Sequence, residues 1–224
     1  MAMPHHLASA DALPASLVDV AHARVRNSIL GGTLSPGEKL VEEQLCGALG
    51  ISRAPLREAL RLLAQQGLVV QTPRKGTRVA EWSPTDIRQL FELRHVLERH
   101  AIEIAVPLDD VDGRLETVDA ALEEMRHAPD DLSRDDAHRR FHAAVVGLAG
   151  NRQLDLALEP ILLKLQLPMA VNLRSEARKH RRPADGIRRH EAIVAALRTN
   201  DRAAVLAALR DHGHLDHLDL GDPA

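Results

Sequence analysis

Apolar positions along this chain recur mostly at intervals of three and four, the spacing that gathers side chains on one face of an α-helix. Leu17, Val20, Ala21, Val25, Ile29 and Leu30 make the first such stripe, and Gly31-Gly32 stops it. After the turn Ser35-Pro36-Gly37 a short helix is predicted from about residue 41 to 49, closed by Gly50. Ser52 stands where an N-cap belongs. Arg53-Ala54-Pro55 then opens a helix to about Gln66, with Leu56, Ala59, Leu60, Leu63 and Ala64 on its inner face. The pattern then changes: residues 68–71 and 77–80 read as short strands on either side of Thr72-Pro73-Arg74-Lys75-Gly76, a turn with two cations at its tip. Three helices followed by a basic hairpin is the order of a winged helix-turn-helix.

Ser83-Pro84-Thr85-Asp86 restarts the helical pattern. Helices are predicted at about 84–106, 110–127 (stripe Leu115, Val118, Leu122, Met125) and 132–148, the last broken by Gly150-Asn151. A further helix runs to about residue 173, and two more cover about 187–199 and 202–218, while the polar stretch 174–186 reads as a loop or frayed end. The fold class is therefore mainly α: a flexible arm over 1–14, a winged helix-turn-helix over 15–81, and a C-terminal antiparallel all-helical bundle of about six helices over 84–220.

Composition supports helices. Phe91, Phe141 and Trp82 are the only aromatic residues besides histidine, so the cores must be built from Leu, Val, Ile and Ala, and a platform for stacking single-stranded bases is not expected. Cys46 is the single cysteine, which excludes an intrachain disulfide and a Cys-rich zinc site and fits a reducing cytoplasm. No apolar run is long enough to span a bilayer, and the N-terminus lacks the basic-then-apolar order of a signal peptide. The net charge of −3 at first argues against nucleic acid. Residues 14–80, however, hold nine Lys/Arg against five Asp/Glu, a net +4, which leaves −7 on the remainder. A basic front on an acidic body is the charge map of a DNA-binding module joined to something else.

A recognition helix lies in the major groove with its N-terminal residues facing base edges. Arg53 and Arg57, four apart, share one face of the helix that Ser52 opens, and an Arg fork matches guanine O6 and N7. Ser52 and the helix N-terminus suit a phosphate, Arg61 continues the face toward the backbone, and Arg74, Lys75 and Gly76 at the hairpin tip suit the minor groove or phosphates. A solvated face stitched by local pairs such as Arg57 with Glu58 is the ordinary alternative. The segments Gly37-Glu38-Lys39-Leu40, Gly50-Ile51-Ser52-Arg53-Ala54-Pro55-Leu56-Arg57-Glu58-Ala59-Leu60 and Gly67-Leu68-Val69 closely resemble the DNA-binding head of the GntR family of regulators. The resemblance implies homodimers on short palindromic operators of double-stranded DNA, with Arg53, Arg57 and the wing positions touching DNA; the expected contact set is Ser52, Arg53, Ala54, Arg57, Arg61, Arg74, Lys75 and Gly76. Some relatives also use a basic residue on the preceding helix. Here that stretch is Glu42-Glu43-Gln44, which departs from the pattern.

Of thirteen histidines, four fall on inward helix faces: His138 and His142, one turn apart beside Phe141 and Val145; His190, with Ile193, Val194 and Leu197; and His212, with Val205, Leu206 and Leu209. Imidazoles on three helices can converge in a bundle core and hold a metal, although a single buried histidine is more often a satisfied core residue. The second half resembles the FCD effector domain of the FadR-type GntR subgroup through Phe141-His142, Ala149-Gly150-Asn151, His190-Glu191-Ala192-Ile193 and Arg210-Asp211-His212. The resemblance implies a divalent metal held by His138, His142, His190 and His212, with a small carboxylate effector completing its coordination and Arg94 near that effector. His138 occupies a position usually held by Asp. Four imidazoles favour zinc, nickel or copper over manganese or magnesium, with zinc or nickel the expectation; alternatively His138 sits outside the coordination sphere. Arg94 is equally placed to make an i,i+4 pair with Glu98.

The expected function is a ligand-responsive, cytoplasmic, non-enzymatic transcription regulator. One alternative is the same regulator with a purely structural metal. Another is a metal-dependent hydrolase, for which Glu191 is the obvious base, although it points off the ligand face and no HExxH motif is present.

Overall fold

Four helices begin where a side chain satisfies the helix end, at Ser16, Ser83, Asp110 and Asp130. The computed structural model describes residues 16–178 and 183–212, with side chains for 16–171 and 186–212. Helix α1 (Leu17–Leu30) starts at Ser16, whose hydroxyl accepts from the Asp19 amide while the Asp19 carboxylate accepts from the Ser16 amide. Its buried face is Ala21, Val25, Ile29 and Leu30, whereas Leu17 remains exposed. Strand β1 (Lys39–Leu40), α2 (Glu42–Leu49), α3 (Arg53–Gln65), β2 (Val69–Thr72) and β3 (Gly76–Val79) follow. The strands form an antiparallel sheet in the order β1-β3-β2, with Lys39 opposite Arg78, Val69 opposite Val79, and Thr72 opposite Gly76. Strand β1 was not foreseen, because two residues carry no measurable period. Leu56, Ala59, Leu60 and Leu63 of α3 are fully buried; Leu56, Leu60 and Leu63 pack with Val25, Ile29, Leu30, Leu40, Leu68 and Val79.

The body is α4 (Pro84–Ala105), α5 (Val111–Arg126), α6 (Asp131–Gly147), α7 (Arg152–Arg178), α8 (Pro183–Arg198) and α9 (Arg202–His212). Ser83 and Asp86 form a second capping box with Pro84 in the first turn of α4, and Asp110 and Asp130 cap α5 and α6. Ile102, Leu115, Val118, Leu122, Phe141, Val145, Ile193, Leu197, Val205 and Leu209 interlock as the body's core. The stretch 174–186 departs from the expected loop: α7 continues to Arg178 and α8 already begins at Pro183. The physical reason is that Arg, Glu and Ala are strong helix formers even without an apolar face, and proline fits a helix's first turn, where the lost N–H has no partner anyway. The arm 1–14, the predicted continuation of the last helix beyond His212, and His5, His6, His180, His214 and His217 lie outside the described residues.

Helix α7 ties the two halves together. Its Leu167 and Ala170 belong to the apolar cluster of the head. At Gly67, where φ is +74°, an added Cβ would fall 2.8 Å from Lys164 Cγ, so α7 fits closely against the turn that ends α3. Arg26 of α1 reaches Asp136 of α6 at 2.5 Å, and buried Gln166 of α7 turns its amide oxygen to accept from Arg26 and Arg139, each at 3.2 Å. No helix among the described residues is long and apolar enough to cross a membrane.

Candidate DNA interface and metal centre

The N-cap of α3 is extended at Ser52, and its hydroxyl makes no bond to the helix backbone. The hydroxyl and the unpaired first-turn amides therefore remain available to an anion. Ser52, Arg53, Ala54, Arg57 and Arg61 are all exposed, as are Arg74, Lys75 and Gly76 at the wing tip. Arg74 (φ 63°) and Gly76 (φ +88°) hold left-handed backbone, which makes the tip tight. Around Gly76 the nearest outside atom is 3.9 Å away, so the turn's conformation, not packing, calls for glycine there.

Arg57 does not pair with Glu58. Its Nε donates to both carboxylate oxygens of Glu42 on α2, at 3.1 and 3.0 Å, and Glu58 instead takes Arg61 at 2.6 Å. Among the described residues Arg53, Arg74 and Lys75 have no ion-pair partner within 4 Å. Exposed pairs contribute at most about 1 kcal/mol, so a phosphate or base edge can displace either carboxylate.

In the body, the four inward histidines meet. His138 and His142 come from α6, His190 from α8 and His212 from α9, and one nitrogen from each lies within 4.8 Å of all the others. His142 Nε2 is 3.1 Å from His138 Nε2, and His212 Nε2 is 2.9 Å from His190 Nε2. Burial depresses all four basicities, taking His190 to about 4 and the other three well below the ordinary value, so the rings are neutral at pH 7. Two tautomers follow from the neighbours. His190 Nδ1 donates to the Gly186 carbonyl at 2.7 Å, which leaves its Nε2 lone pair facing inward. His142 Nδ1 lies 2.6 Å from Glu98 Oε1; burial pushes the Glu98 carboxyl up and Arg94 pulls it down, and with Glu98 ionised the proton between them belongs to the nitrogen. Four neutral imidazoles with one nitrogen each gathered at one point, two of them with a partner behind the ring, are a donor set that zinc or nickel takes.

Against this cluster lies a buried ion pair on α4. Arg94 Nε is 3.3 Å from Glu98 Oε1, both side chains are essentially inaccessible, and the guanidinium sits 4.8 Å from the centre of the Phe91 ring. Arg94 Nε, Glu98 Oε1 and His142 Nδ1 are each buried without an aligned hydrogen bond. Glu98 thus has two roles where the sequence suggested one. A signal was present: Arg94 and Glu98 fall on the same inward stripe as Phe91, Ala101 and Ile102, and charges on such a stripe have to serve each other or a ligand. Glu191, by contrast, is bound by Arg126 at 2.6 Å on the surface, away from the histidines.

Residues 17–79 match the family described as bacterial regulatory proteins, gntR family, and residues 89–215 match the FCD domain. The chain is 28% identical to the HTH-type transcriptional regulator YdhC of Bacillus subtilis over 87% of its own length and 89% of that protein. It is 25% identical to the gluconate operon transcriptional repressor of Bacillus subtilis over 84% of this chain and 78% of that one. Among solved structures, one described as a transcriptional regulator GntR from Rhodococcus sp. RHA1 superposes with a TM-score of 0.71 at 26% identity, covering 91% of this chain and 96% of that chain.

Proposed function

Because the chain belongs to the GntR family of bacterial transcription regulators, with an FCD domain behind its DNA-binding head, we propose that it represses transcription as a homodimer on a palindromic operator, under the control of a metal-assisted carboxylate effector. Its family and relatives are regulators, not enzymes. Two heads would place two α3 helices in successive major grooves, with Ser52, Arg53, Ala54 and Arg57 at the bases and nearest phosphates. Arg61 and the wing residues Arg74, Lys75 and Gly76 would hold the backbone. A net +4 per head is modest, which favours two heads acting together. Leu93, Val96, His100 and Ile104 form an exposed stripe along α4, which supplies a surface for pairing.

The observation that carries the reading is the convergence of four imidazole nitrogens in the body. His138, His142, His190 and His212 would hold a divalent metal, zinc or nickel, which supplies a Lewis-acidic point for a carboxylate. Arg94, buried and without an aligned partner at Nε, is the cation nearest to hand for that anion. A test measures binding to operator and to random duplex of equal length across a salt series, with protein stripped by chelator and reloaded with zinc. The expected result is a marked preference for the operator, a steep fall with salt, and an affinity that depends on metal. Equal binding to both duplexes in every state would refute the proposal.

The donor count favours a second reading. Four protein ligands are the signature of a closed structural site, which would leave no position for an effector. Small carboxylic acids titrated against the melting temperature separate the two. A ligand of the native state must raise Tm, and a structural site predicts no shift with any acid.

A further inference from the structure

A divalent ion among four neutral imidazoles brings its whole charge into a buried site, which is costly unless an anion lies close. Among the described residues the one carboxylate touching the cluster is Glu98, at 2.6 Å from His142 Nδ1. It belongs to neither neighbour completely: it stands 3.3 Å from Arg94 Nε and is aligned for a hydrogen bond with neither partner. Of the acids on α6, Asp136 is taken by Arg26 and Asp131 by Arg134, and among the described residues Asp135 makes no ion pair with any of the four rings. His142 also needs a proton on Nδ1 if its Nε2 lone pair is to face inward, and Glu98 is the acceptor that keeps it there. His190 has its equivalent partner in the Gly186 carbonyl. Arg94 works in the opposite sense, because its charge bears on all four rings.

We infer that Glu98 is the positioning and charge-balancing residue of the metal centre, fixing the tautomer of His142 and supplying the negative charge that the four imidazoles lack, while Arg94 holds that charge partly in check. The inference rests on the metal reading above. It assigns opposite signs to two residues that are partners in one ion pair, which a purely structural pair could not have. Loss of such an outer partner typically weakens a metal by about 10- to 100-fold.

The experiment is zinc titration of the full-length, chelator-stripped protein against a chromophoric competitor, for wild type, Glu98→Gln, Arg94→Met and Arg94→Met/Glu98→Leu. Glu98→Gln is expected to bind zinc at least tenfold more weakly than wild type, and Arg94→Met several-fold more tightly. The double variant removes the buried pair as a unit, which cores tolerate, and so guards against a single variant that fails to fold. It is expected to bind at least tenfold more weakly than Arg94→Met. In imidazole 15N spectra of the metal-free protein, His142 should show one tautomer, protonated on Nδ1, in wild type and a mixture in the double variant. Equal zinc affinity for Arg94→Met and the double variant, with an unchanged His142 tautomer, overturns the inference and leaves the metal reading intact. Absence of zinc uptake by wild type overturns both.

Discussion

At the scale of single residues, the proposed DNA contacts divide into groups that would read and groups that would hold. Arg53 is exposed in the first turn of α3 with no ion-pair partner among the described residues, so its fork is open to a base edge. Arg53→Ala is expected to cost about 1–3 kcal/mol of discrimination, narrowing the operator-to-random preference by about 5- to 150-fold. Lys75→Ala should instead weaken both duplexes alike and lower the salt slope by about one per head. Anisotropy competition across a salt series checks both, and an Arg53→Ala variant with undiminished preference would remove that residue from the reading set. The exposure of Arg53 was legible in the helical period and that of Lys75 in its turn. The pairing of Arg57 with Glu42 was not, because the two are brought together by the packing of α2 on α3. That contact gives Glu42 a place in this fold: it holds the guanidinium of Arg57 across the packing of α2 on α3. A second residue was equally hidden. Asp135 is buried, its Oδ2 has no partner, and burial together with neighbouring Asp136 pushes its carboxyl up to about 7 against the opposing pull of Arg26 and Arg139. Below the ordinary value of 3.8 both folded and unfolded forms are protonated; as pH rises from there to about 7 the unfolded form ionises and the folded form does not. Stability from this group therefore falls across that window, with a cost above it on the order of 4 kcal/mol. Asp135→Asn is expected to raise Tm at pH 8 and to flatten the decline between pH 5 and pH 8. A Tm that stays unchanged at pH 8 would contradict this.

At the scale of elements, periodicity reached as far as local forces decide. It located the helices because a buried stripe and a capping box leave marks in the sequence, as at Ser16 and Ser83. It failed where no apolar stripe marks the element: β1 is two residues long and exists through its pairing with β3, and α7 continues through a polar stretch on helix propensity alone. It put four histidines on inward faces but could not say that three helices would aim them at one point, since rotation about each axis is settled by packing. Helix α4 shows both limits at once. Its inward stripe carries Arg94 and Glu98, and its outward stripe carries Leu93, Val96 and Ile104, each about half exposed. Apolar residues at i, i+3 and i+11 with His100 between them form a seam along about three turns. If two copies pair through this seam, Val96→Glu buries a charge on each side of the interface. Sedimentation equilibrium should then show monomers at concentrations where wild type is dimeric, and operator affinity should fall by at least tenfold while the melting temperature holds within a few degrees. A dimer unaffected by Val96→Glu would place the interface elsewhere.

At the scale of the whole molecule, the question is how a site in the acidic body could alter the grip of the basic head. Helix α6 spans the distance. It carries His138 and His142 of the proposed metal site and, half a turn earlier, Asp136, which Arg26 of α1 holds at 2.5 Å. Arg26 is largely covered, and Gln166 of α7 accepts from it on another side, so α1, α6 and α7 share one polar junction. The apolar part of the same junction is Leu167 and Ala170, embedded in the head's core. A small rotation of α6 as its two histidines close on an ion would therefore be felt at Arg26, and α1 packs directly on the recognition helix α3. Coupling between distant sites is commonly about 1–3 kcal/mol, so metal should change operator affinity by about 5- to 150-fold in wild type. Arg26→Met keeps the covered aliphatic stem and removes the charge that ties α1 to α6. The expected outcome is zinc affinity within threefold of wild type and specific operator binding retained, but little difference between the stripped and loaded forms. Isothermal titration of zinc in the presence and absence of operator measures the same coupling from the other side, since linkage makes the two effects equal. If Arg26→Met leaves the metal dependence of operator binding at its wild-type size, the signal crosses from body to head by the apolar contact of α7 alone.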